Sequence, residues 1–309
     1  MLKSKIHLIW WQMKLTNNNY YGENANLEFM SVSQFKDFKN CEAMALAKIK
    51  GEYKTPPSKA LLLGSFVDEM LTGTKKTRNN FILENRLDLF QKSSKLAKLS
   101  NDELAALLAD SSFDIFSADN RPFSEIVQAL ETVEKIKKQP LMMKHFKSRH
   151  QVIMTGEISG VPFKIKMDNY KPGEFISDGK YMASLRSPNM FESMVKYWGY
   201  DIQGAVYQEI VRQNTGKRLP FYLDIATKET PSHLAVAEIN QYDLDEALDL
   251  VKTLAPLYQA IKKGEVKPQR CDEYHCSYCT ETKIITEPID SNYLGMSPKQ
   301  IKAANGDFI

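Results

Sequence analysis

The sequence is poor in cysteine, with four in 309 residues. A secreted scaffold held together by disulfides needs a denser set, so we exclude that class of protein. Long apolar runs are also missing, because the longest early candidate, residues 6–11, is far short of the ~20 residues that cross a bilayer. Neither sign of charge dominates, since 41 Lys and Arg face 38 Asp and Glu. We therefore expect a soluble, cytoplasmic protein in which any nucleic-acid-binding surface is a local feature.

The chain has the composition of an ordinary globular protein, with 43% hydrophobic and 26% charged residues and no internal repeat. A polar run follows Met13, which offers a second translation start, and we expect a disordered leader over residues 1–29. The pattern then predicts a single domain over residues 30–283 and a tail over 284–309. Residues 74–125 carry little periodicity and are interpreted as an insertion or lid.

Apolar spacing predicts strands and helices along the same chain, and the family resemblance described below implies an α/β fold with a mixed central sheet flanked by these helices. In residues 161–168 apolar and polar residues alternate, which is typical of a half-buried strand. Further strands are expected at residues 151–158, 174–180, 219–228 and 233–239. Helices are expected at residues 31–51, 60–73, 197–217 and 244–262.

Two acids and a lysine lie at the end of this predicted strand and on the next one. Asp178 and Lys180 share one face of a strand because side chains alternate with a period of two. If this strand pairs with the preceding one around the turn at residues 169–173, Asp168 joins them. Oxygen ligands beside an amine are what a Mg²⁺ or Mn²⁺ phosphodiesterase needs. The ordinary alternative is two acids beside a turn and a solvated lysine.

The next helix carries Gln203-Gly-Ala-Val-Tyr207, which matches the Q-x-x-x-Y motif of RecB-like nucleases letter for letter. The order of acid, D-x-K strand and Q-x-x-x-Y helix resembles the PD-(D/E)XK nuclease superfamily. The run from Met30 to Lys283 is similar to the phage-encoded RecE-like, exonuclease VIII type proteins. This resemblance implies a restriction-endonuclease-like α/β core.

The resemblance also implies a role for each site residue. Asp168 and Asp178 would hold Mg²⁺ or Mn²⁺, and the carbonyl of Gly179 would be a further ligand. Asp68 stands where the family's G-x-x-x-H helix has His, and as a hard oxygen ligand it is a candidate for the same metal. Lys180 would position the attacking water near the scissile phosphate.

The implied activity is metal-dependent hydrolysis of DNA, most specifically exonucleolytic resection of double-stranded ends. Gln203 and Tyr207 would contact the DNA strand or brace the site, although a core Tyr and a solvent-facing Gln are the ordinary alternatives. Relatives of this kind act with single-strand annealing proteins and form rings, so such a partner, a homo-oligomer and a phage or prophage origin in a bacterial host are expected. The changes at Asp68 and Gly179 also leave open a non-catalytic DNA-binding or assembly module.

Three of the cysteines crowd together as Cys271, Cys276 and Cys279, which predicts a metal site. The fourth ligand is His275 or Cys41, and we favour Cys41 because His275 is adjacent to Cys276. In AddB-like iron–sulfur nucleases one early Cys joins three late ones, so the resemblance implies a structural [4Fe–4S] cluster. Zn²⁺ on the same thiolates is the alternative, and four reduced thiols without metal are the ordinary interpretation.

Basic and aromatic residues surround the D-x-K strand in sequence, as a surface that holds a DNA strand requires. The basic members are Lys164, Lys166, Lys180, Lys196 and Arg186. The aromatic members are Tyr181, Tyr197, Trp198 and Tyr200. The alternative is that the rings belong to the core and the lysines form a solvated face.

Overall fold

A computed structural model describes residues 14–55, 58–110, 112–273, 276–286, 288, 290–296, 300, 301 and 304. The helices are α1 Glu23–Glu28, α2 Val32–Asn40, α3 Glu42–Ile49, α4 Lys59–Thr72, α5 Lys75–Leu89, α6 Asn101–Ala109, α7 Ser124–Lys137, α8 Pro140–Phe146, α9 Met194–Trp198, α10 Tyr200–Thr215, α11 Gln241–Lys262 and α12 Ser277–Glu281. The strands are β1 Arg149–Ile158, β2 Val161–Lys171, β3 Phe175–Met182, β4 Phe221–Thr227 and β5 Leu234–Glu238. Within these described residues, every helix is too short or too polar to span a membrane.

The strands form one sheet in the order β1-β2-β3-β4-β5. β2 and β3 pair antiparallel, β3 and β4 pair in parallel, and β4 and β5 pair antiparallel again. The predicted α/β class with a mixed central sheet is therefore confirmed. The D-x-K strand β3 is an interior strand with partners on both sides, so its backbone is held in register along its length.

The chain divides into two compact units. The first unit comprises Met1–Pro56, Ile153–Ile165 and Asp245–Ile309, and the second comprises Pro57–Val152 and Lys166–Leu244. In the first unit the rings of Phe35 and Phe38 each lie 5.2 Å from that of Tyr258, the second pair stacked.

The helix predicted over residues 31–51 is two helices that meet at Cys41. α2 begins at Ser31, whose hydroxyl accepts from the Gln34 amide in a capping box. At Cys41 the backbone is extended, with φ −162° and ψ 110°, and the next residue begins α3. Apolar spacing continues across this break, so the pattern alone did not reveal it. The break places the buried Cys41 at a helix junction.

Part of the expected disordered leader is ordered. Residues 14–29 form turns and helix α1, and Tyr20, Ala25 and Phe29 are buried in the first unit. The Nζ of Lys164 donates to the Tyr20 carbonyl at 2.6 Å and to Asn26 Oδ1 at 2.8 Å. These contacts give a polar segment a fixed place, which its composition did not indicate.

The second unit has a core drawn from helices on both sides of residue 74. α4 contributes Leu63 and Phe66, while residues 74–125 contribute Ile82, Phe90 and Leu104, all buried in the same cluster. Such packing favours an insertion that is integral to the fold over a detached lid. The helix predicted over residues 197–217 is also divided, because Gly199 adopts φ 61° between α9 and α10.

Two helical glycines of the second unit differ in the room around them. A Cβ on Gly204 would lie 2.6 Å from the ring of Phe221 and 2.8 Å from Leu244 Cδ2, whereas a Cβ on Gly64 would meet nothing within 4 Å. α10 therefore approaches β4 as closely as it does because residue 204 has no side chain.

We expect Gly204→Ala to destabilise the protein by roughly 1–3 kcal/mol, because the added methyl group overpacks a closed core. The matched control Gly64→Ala should stabilise it by roughly 0.5–1 kcal/mol, through lower entropy of the unfolded chain. Free energies of unfolding from guanidinium titration measure both effects. Equal effects of the two substitutions would contradict the close approach at Gly204.

Candidate active site

The acids predicted to meet do lie side by side. The β2–β3 register pairs Asn169 with Ser177, so the next step along both strands brings Asp168 level with Asp178. Residues directly opposite in an antiparallel pair project to the same face of the sheet. Burial raises the pKa of Asp168 well above its usual range, and the charge of the neighbouring Asp178 adds to this rise.

Lys180 completes the group from the same face of β3. Its ammonium forms an ion pair with Asp178 Oδ2, and it lies 5.1 Å from the ring centroid of Tyr200. Burial lowers the pKa of Lys180, but the charges of Asp178 and Asp168 outweigh it, so the net pKa is raised. Lys180 therefore keeps its positive charge at neutral pH.

The Q-x-x-x-Y motif lies on α10 and contacts β2 and β3 beside these residues. Gln203 Nε2 donates to Asp178 Oδ1 at 2.6 Å, and Tyr207 Oη donates to the Lys166 carbonyl on β2 at 2.9 Å. Both side chains are mostly buried. Gln203 is therefore not the solvent-facing residue of the ordinary alternative. The contacts fix an acid of β3 and the backbone of β2, which is a bracing arrangement.

Asp68 lies on α4, and its charge interacts with those of Asp168 and Asp178. Burial raises its pKa to about 6, with Glu69 and Asp178 acting in the same direction and His150 opposing them. The candidate ligand from the G-x-x-x-D helix thus belongs to the same charge cluster as Asp168 and Asp178.

These residues fit a divalent cation. Asp68, Asp168 and Asp178 bring three potential negative charges to a buried place, and Lys180 supplies one positive charge. Asp178 Oδ2 has no hydrogen-bond donor within the described residues apart from its ion pair with that lysine. Carboxylate oxygens are the ligands that Mg²⁺ and Mn²⁺ prefer. A bound cation would offset the negative charge that these carboxylates bring together.

The four cysteines meet in the first unit. All four sulfur atoms lie within 4.8 Å of one another, with Cys41 Sγ 3.6 Å and Cys271 Sγ 3.8 Å from Cys279 Sγ. None is in a disulfide, and Cys41, Cys276 and Cys279 are buried. His275, the other candidate fourth ligand, lies outside the described residues.

Backbone N–H groups point at the sulfurs. Burial raises the pKa of Cys41, but hydrogen bonds from the amides of Met44 and Cys271 outweigh it and leave the pKa lowered. Burial raises the pKa values of Cys271 and Cys279, against amide donors from Glu273 and Asp272. Amides that donate to sulfur favour the thiolate form, which is the form that binds a metal.

Comparison with family models matches residues 31–282 to a PDDEXK-like domain of unknown function, DUF3799. The chain belongs to this PDDEXK-like family. The match spans all five strands, the four cysteines and the helices from α2 to α12, and it confirms the PD-(D/E)XK superfamily. A RecE-like type within that superfamily stays a prediction.

A solved relative of this PDDEXK-like domain is a protein named "Putative exonuclease" from Eubacterium rectale. Its crystal structure is similar with a TM-score of 0.77 and 36% sequence identity, over 92% of this chain and 99% of that chain. A comparison with curated proteins finds no match.

The PDDEXK-like domain brings together Asp68, Asp168, Asp178, Lys180 and Gln203. Gly179 lies between two of them on the opposite face of β3, where a Cβ would meet the ring of Phe146 at an ordinary 3.7 Å. The glycine is thus not enforced by lack of space. Its carbonyl as a ligand stays a prediction.

The basic and aromatic cluster is only partly available to DNA. Lys164 is 1% exposed and bonded within the first unit, so it does not form part of a binding surface. Lys196 is ion-paired to Asp201 at 3.1 Å. Tyr197 and Trp198 are 44% and 45% exposed, with ring centroids 4.9 Å apart, and they remain candidates for stacking on bases.

Three features of the PDDEXK-like domain were missed in the sequence. His150 Nδ1 lies 3.0 Å from Asn169 Oδ1, and Gln151 Nε2 donates to Asp168 Oδ1 at 3.3 Å with φ 52° at Gln151. Phe191 is 91% exposed in the segment after the D-x-K strand. The sequence signal for His150 and Gln151 was a polar pair at the start of β1. The sequence signal for Phe191 was an aromatic residue among turn-forming residues.

We expect Asp68→Asn to stabilise the protein above about pH 6, measured without added divalent metal. The native pKa of Asp68 is raised to about 6, so between about pH 4 and 6 the unfolded chain loses this proton before the native chain does. The carboxylate therefore lowers stability as pH rises through that range, by on the order of 1–3 kcal/mol, and the amide removes the loss.

Free energies of unfolding at several pH values for the wild type, Asp68→Asn and the control Asp88→Asn provide the test. Asp88 is an exposed carboxyl on α5, so its amide should leave the pH profile unchanged. A profile of Asp68→Asn that parallels the wild type would contradict the raised pKa.

Proposed function

We propose that this chain is a metal-dependent deoxyribonuclease. The observation that carries the proposal is that Asp168 and Asp178 are neighbours on β2 and β3, with Lys180 ion-paired to Asp178. Asp168 and Asp178 would hold Mg²⁺ or Mn²⁺, with Asp68 and the Gly179 carbonyl as further candidate ligands. When bound, the cation would act as a Lewis acid on the scissile phosphate and offset the charge of the transition state.

The chain's own groups would then orient the reaction. Lys180 carries its proton at neutral pH, so it would not act as a general base. We assign it to positioning the attacking water and to stabilising the developing negative charge. Gln203 fixes one oxygen of Asp178 and thereby leaves the other directed to the lysine and the cation. Tyr207 anchors β2 through the Lys166 carbonyl.

We assign DNA as the substrate, and double-stranded ends as its most specific form. The support is the description of the Eubacterium rectale relative as a putative exonuclease and the resemblance to RecE-like proteins. Exposed Arg186, Tyr197, Trp198 and Phe191 follow the D-x-K strand, where they would contact phosphates and bases. A single-strand annealing partner and a homo-oligomer are part of this proposal.

A second metal would be structural. The four thiols gathered from Cys41, Cys271, Cys276 and Cys279 would hold an ion or cluster in the first unit. All four candidate ligands are protein sulfurs, so no position is left for a substrate.

A non-catalytic DNA-binding module is the second candidate. Asp68 in place of the family's His favours it, because this carboxyl has a pKa of about 6 and is partly protonated near neutrality. DNA retention without degradation, with Mg²⁺ and with Mn²⁺, would select this candidate over the nuclease.

We expect Lys180→Met to lower the initial rate of linear duplex digestion by roughly 10²-fold or more, while DNA retention stays near that of the wild type. The reason is that methionine keeps the length of the side chain and removes the charge that orients the water. The control Lys171→Met alters an exposed lysine at the far end of β2 and should keep the rate within about twofold.

The assay uses end-labelled linear duplex, covalently closed circular duplex and single strands, each with Mg²⁺, Mn²⁺ or chelator. Digestion restricted to linear DNA indicates exonuclease action, and cutting of the circle indicates endonuclease action. Wild-type rates from Lys180→Met would remove the lysine from the mechanism.

A further inference from the structure

The spacing of the four sulfurs identifies the metal. We infer that Cys41, Cys271, Cys276 and Cys279 hold a single tetrahedral Zn²⁺, and not the [4Fe–4S] cluster that the resemblance implies. This inference rests on the structural metal in the proposed function, and it is independent of the nuclease chemistry.

The two kinds of centre require different sulfur separations. Four thiolates at 2.3 Å from one zinc ion occupy the corners of a tetrahedron with edges of about 3.8 Å. In a cubane each thiolate binds a different iron, so an inorganic core separates the sulfurs by roughly 6 Å. The observed separations are 3.6 and 3.8 Å, and all pairs lie within 4.8 Å. They match one ion and leave no room for a cubane.

The segments that supply the ligands are tied to each other independently of the metal. The Ala43 amide donates to the Gln269 carbonyl at 3.0 Å, and the Gln269 amide donates to Glu42 Oε2 at 2.7 Å. The start of α3 and the segment before Cys271 are therefore already adjacent. The backbone therefore brings Cys41 close to Cys271 through bonds that do not involve the sulfurs.

Arg270 supports the same centre from outside. Its Nη2 donates to the Cys279 carbonyl at 2.7 Å, and its Nε to Asp272 Oδ1 at 3.0 Å. A guanidinium beside a tetrathiolate offsets part of its net charge. It also orients the turn that carries two of the amide donors.

Metal analysis of the full chain tests the inference. The protein is expressed with both iron and zinc supplied, purified without oxygen, and measured for zinc, iron, acid-labile sulfide and visible absorbance. We expect about one zinc per chain, no labile sulfide and a colourless protein. Because the chain has only four cysteines, release of that zinc by a thiol reagent should track modification of all of them.

Variants separate this result from the nuclease proposal. Cys279→Ser should lose the zinc, whereas Asp178→Asn in the carboxylate cluster should retain it whether or not digestion is abolished. Should Cys279→Ser fail to fold, exchange of wild-type zinc for Co²⁺ gives the same information, because tetrahedral thiolate-bound Co²⁺ shows strong visible bands.

Several outcomes would overturn the inference. These are about four irons with matching sulfide and a brown colour, one iron with no zinc, or wild-type protein that binds none of these metals while folded. Zinc that survives Cys279→Ser would place the ion elsewhere.

Discussion

The burial of two facing carboxyl groups is the constraint around which the second unit is arranged. Asp168 and Asp178 are directly opposed across β2 and β3, where like charges destabilise a sheet. The chain compensates with the Lys180 ammonium and the Gln203 amide, and it leaves one acid with a strongly raised pKa. This uncompensated negative charge is the physical reason to expect a bound cation. Protonation of Asp168 would neutralise the site but would give it no catalytic function.

Each unit gathers ligands of one chemical character. The second unit offers carboxylate oxygens beside an ammonium, and the first gathers four cysteine sulfurs. Hard and soft ligands select different metals, so Mg²⁺ has little affinity for the thiolates and a thiolate-bound ion is not displaced at cellular magnesium levels. Under the proposed function, the chain would keep a structural ion on the thiolates while the ion on the carboxylates exchanges.

Much of this arrangement could be predicted from local pattern. Alternation in residues 161–168 indicated β2, a period of two placed Asp178 and Lys180 together, and Q-x-x-x-Y indicated the bracing helix. What failed depended on tertiary contacts: the extended backbone at Cys41 lies inside a continuous apolar stripe, and Lys164 is drawn inward by carbonyl and amide acceptors from residues far away in sequence. His150 carried no motif, because its place near the acids follows from where β1 begins.

The separation of the cysteines along the chain has a consequence for biosynthesis. Cys41 emerges from the ribosome early, but its three companions lie beyond α11, so the sulfur centre can be completed only when nearly the whole polypeptide has been made. A metal on these thiols would therefore be bound late in synthesis. A nascent or prematurely ended chain would carry one orphan thiol at a helix junction, a chemical mark by which incomplete copies differ from finished ones.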